Sequence, residues 1–172
     1  SNTGDPMYTS AALIDLHTRA HWSLQALYAH CSRFSQEELA REFAGFGVSS
    51  LREQFQHCIS AEEYWVGVIH GRMDVNGEEP PLASIPELDA YRQQVAGRTL
   101  DYLNRASEQE LNTPRTLLCW PNQERSLVPA RIIGRLVTHL YQHQGQCTAL
   151  CRLLGQPVNG LDFPLANELP SL

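Results

Sequence analysis

"LVTHLYQHQGQCTALCRLLG", residues 136–155, decides how the chain is read. Leu136, Val137, Leu140, Cys147, Leu150, Cys151 and Leu154 recur at helical spacing, and Ile133 extends the series upstream, so the stretch is an amphipathic helix. At about 100° per residue, His143 falls inside the apolar stripe and His139 at its edge. Two imidazoles one turn apart can share a divalent ion, because neighbouring turns bring their tips together. Two buried histidines bonded to backbone or to each other fit the same spacing. A catalytic ion needs a third protein ligand from elsewhere and keeps a position open.

Three further helical stretches surround this one. The first is predicted from Ser10 to Arg33, with Leu13, Leu16, Ala20, Leu24, Leu27, Cys31 and Phe34 on one stripe. Ser35 and Glu38 then form a capping box for a short turn. Ser49 or Ser50 caps the second stretch, which runs to about Gly71. It is apolar on two sides, Leu51, Phe55, Ile59, Val66 and Ile69 on one and Ala61, Tyr64, Trp65 and Val68 on the other, as suits a helix with neighbours on several sides. "MDVNGEEPPLASIP" is a loop. Ser84 with Pro86 and Glu87 opens the third stretch, which extends to about Ala106. An irregular segment follows, with a short extended pair around Leu117 to Trp120. The fourth stretch is predicted from Leu127 to Leu154, capped by Ser126 and closed by Gly155 and Pro157. Four long helices without a convincing strand pattern between them imply an all-α four-helix bundle. The domain plan is a disordered segment over 1–9, a bundle over 10–158, and a tail over 159–172 that packs on it.

The chain has 172 residues, 42% hydrophobic and 19% charged, an ordinary globular composition. All 13 basic residues are arginines, spread along the sequence, and the net charge is −6. This disfavours nucleic acid as a partner. No apolar run is long enough to span a bilayer and no signal peptide opens the sequence, so the expected location is the cytoplasm. Five cysteines, with no CxxC, are expected to be reduced core residues; Cys147 and Cys151, four apart on a helix, do not have disulfide geometry.

Other histidines compete with the pair at 139 and 143. His17 and His21 form a second HxxxH, and spacing alone does not separate the two pairs. His57 is a candidate third ligand that lies with Ala61, Tyr64 and Val68; periodicity permits it without selecting it. Glu62 falls in the middle of the Phe55–Ile59–Val66 face, where a carboxylate must be paired. It reads either as a partner or general base near a metal, or as half of an ion pair with an arginine on a facing helix, the preferred alternative; Glu63 reads as solvated. Trp22, Trp65 and Tyr141 are expected in the core rather than at a pocket mouth. Gln146, beside the second HxxxH, can orient a ligand or cap a carbonyl.

"SSLREQFQHCISAEEYWVGVIHG" (49–71) resembles the second helix of the DinB/YfiT-like superfamily, in which a histidine precedes an Ala-Glu and an aromatic pair. "LVTHLYQHQGQCTALCRLLGQP" resembles the family's last helix with its H-x-x-x-H-x-G-Q run. "CSRFSQEELAREF" and "NRASEQEL" resemble its short acidic turns, and "AHWSLQAL" and "LDF" sit at matching places, so the resemblance covers roughly Leu13 to Phe163. It implies a four-helix bundle, often a homodimer, that holds a divalent metal, nickel or zinc, on three histidines. Carried over, the ligands are His57, His139 and His143, while His17 and His21 match no family ligand. The sequence departs from the family at Leu140, often acidic there, and at Gln144, often arginine.

The family's known enzymes are mostly transferases and isomerases that use a low-molecular-weight thiol. The resemblance therefore implies a thiol-dependent S-transferase, or a metal-dependent hydrolase, acting on a small electrophile in stress or detoxification. The alternative is a non-catalytic, metal-stabilised dimer that binds a small molecule.

Overall fold

The computed structural model describes residues 7–72, 81–159 and 161–172. Of the segment 1–9 expected to be disordered, 1–6 lie outside the described residues, as do most of the loop around 73–80 and residue 160 of the tail. Within 7–9, the Tyr8 amide donates to Asn112 Oδ1 at 2.9 Å and Thr9 Oγ1 accepts from the Ala12 amide at 3.0 Å. Helices dominate: α1 (Ser10–Cys31), α2 (Gln36–Ala40), α3 (Leu51–Ile69), α4 (Ile85–Arg105), α5 (Glu108–Asn112) and α6 (Pro129–Leu153). A hairpin of β1 (Arg115–Cys119) and β2 (Gln123–Leu127) separates α5 from α6.

Local chemistry sets the helix starts. Ser50 accepts from the Glu53 amide at the start of α3, and Ser84 forms a capping box with Glu87 at the start of α4. The Ser35–Glu38 capping box opens α2 as expected. The start of α6 differs from expectation. Ser126 belongs to β2, the N-cap is Val128 with no side-chain cap, and Pro129 opens the helix. Proline at the first helical position outweighed serine three residues upstream, because its fixed φ and missing N–H suit that position. Gly155, at φ 80°, ends the chain's last helix.

The four long helices pack α3 on α6, α6 on α1, α1 on α4 and α4 on α3. His57 meets His139 and His143 while Trp65 meets Arg135, so α3 and α6 run antiparallel. Their core falls into two apolar clusters. One centres on Leu24, Leu27, Phe55, Ile59, Leu88 and Leu150, the other on Leu13, Val66, Leu103, Leu111, Leu117 and Ile133. On three helices a polar residue stands between the clusters: His17 on α1, Glu62 on α3 and Thr99 on α4, all buried. Leu16, expected on the α1 stripe, is instead exposed.

The hairpin pairs Arg115 with Leu127 and Cys119 with Gln123. Its turn holds Asn122 at φ 84°, a left-handed conformation that asparagine tolerates. Leu117 and Cys119 point into the core and Leu118 out, the alternation of a one-sided strand. The Trp120 amide donates to the Tyr64 hydroxyl at 2.8 Å, which ties the turn to α3.

The tail lies along α1. Arg19 donates to the carbonyls of Pro164 (3.0 Å), Ala166 (2.6 Å) and Asn167 (3.3 Å), and the Trp22 indole to that of Pro170 (2.9 Å). Gln144, at the family's arginine position, donates to the Leu161 carbonyl at 2.6 Å. Leu140, at the position often acidic, is buried in the first core cluster. All five cysteines are free and buried, with the thiols of Cys31 and Cys151 3.6 Å apart. Among the described residues no helix is long and apolar enough to cross a membrane.

Candidate metal centre

The antiparallel pairing of α3 and α6 brings His57, His139 and His143 together. The ring centroids of His57 lie 5.1 Å from those of His139 and 4.5 Å from those of His143, and His139 and His143 are 4.4 Å apart. One nitrogen from each ring lies within 4.8 Å of the other two. His143 is buried; His57 and His139 are half-buried and give the group an open side.

The chemistry of this donor set fits a divalent ion. Burial lowers the pKa of all three imidazoles, aided at His143 by the charge of His57. At His139, burial, then the charges of His143, His57 and Arg135, push it down to about 4. Near pH 7 all three rings are neutral, the form that offers a lone pair to a metal. The tautomer of His143 is fixed as well. Gln54, fully buried, donates through its amide nitrogen to the Val48 carbonyl (2.7 Å) and to Gln146 Oε1 (2.8 Å). Its own Oε1 can then only accept, and it takes the Nδ1 proton of His143 at 2.6 Å. The His143 Nε2 lone pair is left for a ligand bond. A hydrogen-bonded far nitrogen of this kind orients metal-binding histidines generally.

Gln54 was not among the expected site residues. The signal lay in the sequence as an amide on the Leu51–Phe55–Cys58 side of α3, one turn before His57, where an unpaired polar side chain is costly. Gln146 acts on the site through Gln54, as an acceptor that holds the amide in place.

The second HxxxH forms a separate group. His17 and His21 each place Nε2 2.9 Å from a different oxygen of Glu62, and Thr99 donates to Oε2 at 2.7 Å. Glu62 therefore pairs neither with an arginine nor with the three-histidine group; its partners are two histidines of α1 and a threonine of α4. Burial opposes its ionisation, but the charge and hydrogen bonds of His21 and His17 outweigh that and hold its carboxyl well below the usual range. Burial also lowers His21, by more than Glu62 raises it. Three donors thus satisfy one buried carboxylate. Both Nδ1 atoms are buried without a partner. An ion on the Nε2 atoms would force a proton onto each Nδ1 with nothing to accept it, so this group suits hydrogen bonding better than a metal. The arginine ion pair goes to the neighbouring carboxylate: Glu63, expected in solvent, accepts from Arg98 at 2.8 Å and from the Tyr91 hydroxyl at 2.9 Å.

Of the aromatics expected in the core, Trp22, Trp65 and Tyr141 are all half-buried. Trp22 holds the tail, Tyr141 shares a hydrogen bond with Ser23 at 2.9 Å, and Trp65 stacks under Arg135, whose guanidinium carbon lies 5.4 Å from the ring centroid.

Comparison with known proteins agrees with this architecture. A crystal structure of a DinB-like protein from Bacillus cereus ATCC 10987 superposes with a TM-score of 0.63 at 18% identity, over 81% of this chain and 91% of the other. No relative among curated proteins matches the chain. The sequence profile of the DinB superfamily matches residues 19–147, which span α1 from Arg19, the hairpin and all three clustered histidines. The chain belongs to the DinB superfamily.

Proposed function

We propose that His57, His139 and His143 hold one divalent ion, nickel or zinc, and that the protein uses it on a small electrophilic substrate as a thiol-dependent S-transferase or a hydrolase. The observation that carries the reading is the meeting of three neutral imidazoles, one with its tautomer locked by Gln54, on a half-buried face with no fourth protein ligand in the group among the described residues. Three ligands and an open side suit a catalytic site better than a closed structural one. When bound, the ion supplies Lewis acidity that acidifies a water or thiol brought to it. The protein's part is to keep the three rings deprotonated and His143 aimed. All-histidine ligation suits nickel and zinc, with the metal available in the cell deciding between them.

On the same reading, the four long helices form the family's antiparallel four-helix bundle over 10–158, with 159–172 as its packed tail. The protein works as a cytoplasmic homodimer on a small molecule, with neither nucleic acid nor a membrane as partner.

Elemental analysis of untagged protein tests the metal. About one equivalent is expected in wild type, lost in His143→Ala and retained in His17→Asn. Wild type that takes up neither nickel nor zinc when both are supplied would refute it.

A further inference from the structure

Beside the three histidines lies a second chemical feature. Arg125 on β2 and Arg131 and Arg135 on α6 line a cleft of about 460 Å³, with Trp65 as an aromatic wall and Ile132 on its apolar side. No acidic side chain among the described residues lines it. Among the described residues none of the three arginines has a salt-bridge partner, and all three are exposed. In a chain of net charge −6, three guanidiniums without a salt-bridge partner around one concavity form a local basic site.

The cleft is aligned with the histidines by the helix itself. Arg131, Arg135 and His139 follow one another at four-residue steps, so they climb one side of α6 at about 6 Å per step. On α3, Trp65 stands two turns from His57, and it meets Arg135 where His57 meets His139. A ligand that reaches the histidines with one end and is roughly 6–12 Å long would put its other end among the arginines.

We infer that this cleft recognises the carboxylate end of the small molecule whose reactive end is presented to His57, His139 and His143. The inference rests on the function proposed above and assigns its substrate or co-substrate a charge class. Carboxylate is favoured over phosphate by the donors available. Phosphate sites commonly offer free backbone amides at a helix start. Here Pro129 has no N–H, and the Arg131 and Ile132 amides already donate to the Val128 carbonyl at 3.0 and 3.3 Å. Ala130 does not line the cleft, and the charged donors that do are planar guanidinium forks, which match a carboxylate two bonds at a time.

Glutathione is a suitable probe, since it carries a thiol and two carboxylates; its diethyl ester keeps the thiol and removes those charges. Binding is measured by calorimetry on the metal-loaded protein and on the Arg131→Gln, Arg135→Gln double variant, whose exposed helical positions accept glutamine. Wild type is expected to prefer glutathione over the ester by at least about tenfold, the effect of one charge-assisted hydrogen bond, and the double variant to lose the preference while binding the ester unchanged. S-methylglutathione is expected to show the same dependence on the arginines, because it keeps the carboxylates. Equal binding of glutathione and ester, a preference that survives in the double variant, or stronger competition by inorganic phosphate than by succinate would each overturn the inference. The thiol reading fails separately: S-methylglutathione binding as tightly as glutathione would remove the thiol from the histidines and leave the cleft standing.

Discussion

Gln54 Oε1 lies 2.6 Å from His143 Nδ1, and the Gln54 amide nitrogen is committed to Val48 and Gln146, so the amide can present only its oxygen to the ring. The side chain thereby selects which nitrogen of His143 carries the proton. Gln54→Leu keeps the volume and removes the acceptor. It is expected to weaken metal binding roughly 10–100-fold with the helical content retained, measured by competition with a chromogenic chelator. Unchanged affinity would separate Gln54 from the site.

Glu62 should behave in the opposite way. Glu62→Leu leaves the His17 and His21 donors buried with no acceptor, while the Thr99 hydroxyl keeps the Val95 carbonyl at 3.3 Å. It is expected to cost about 3–5 kcal/mol of folding stability. Metal content should stay at the wild-type level, because Glu62 touches none of the three clustered histidines. Urea unfolding and elemental analysis on the same preparation check both halves. Loss of metal from a folded Glu62 variant would join the two clusters into one site.

Acid should destabilise the metal-free protein through several groups at once. His21, His57, His139 and His143 all have folded pKa values below 6.5, His139 about 4. A histidine lowered on folding makes the unfolded state bind more protons, so its contribution is present above pH 6.5 and is lost as pH falls through the folded value. Glu62, lowered from 4.5, adds a loss of the same sign at still lower pH. Melting temperature in the presence of a chelator should be level from pH 8 to 7 and decline from about 6.5 toward 4. A midpoint that holds steady over that range would contradict these environments.

Much of the fold was legible because its signals are local. The Ser84–Glu87 box and the Ser35–Glu38 box specify helix starts within four residues of sequence, and both form. Ser126 misled because a hairpin strand reaches within two residues of Pro129, and a serine on that strand looks like a cap when pairing is unknown. The second group shows where periodicity stops. It puts Glu62 on the buried side of α3, yet the identity of its partners depends on α1 facing α3 across the core, and no single-helix pattern carries that information. The same holds for Arg125, Arg131 and Arg135. They look dispersed along the chain, and the hairpin folds the first of them back beside the other two. His57 was permitted by periodicity and singled out by the family resemblance.

Arg19 offers a test of how the tail is attached. Arg19→Met keeps an unbranched side chain and removes every donor to Pro164, Ala166 and Asn167. The expected result is faster proteolysis and amide exchange over 161–172, with global stability lowered by less than about 2 kcal/mol. Protection of the tail equal to wild type would show that Trp22 and Gln144 suffice to hold it.

Every bond from Arg19, Trp22 and Gln144 to the tail ends on a main-chain carbonyl. Carbonyls are the same whatever residue bears them, so the clasp reads the spacing of peptide units and ignores the letters. Replacements of Leu165 or Glu168, whose side chains point to solvent, should pass unnoticed, while inserting or deleting a single residue between Leu161 and Pro170 shifts the carbonyls out of step with their donors. At its exposed positions the tail is a ruler more than a message, while Leu161 against the core and Phe163 beside Tyr141 keep their letters.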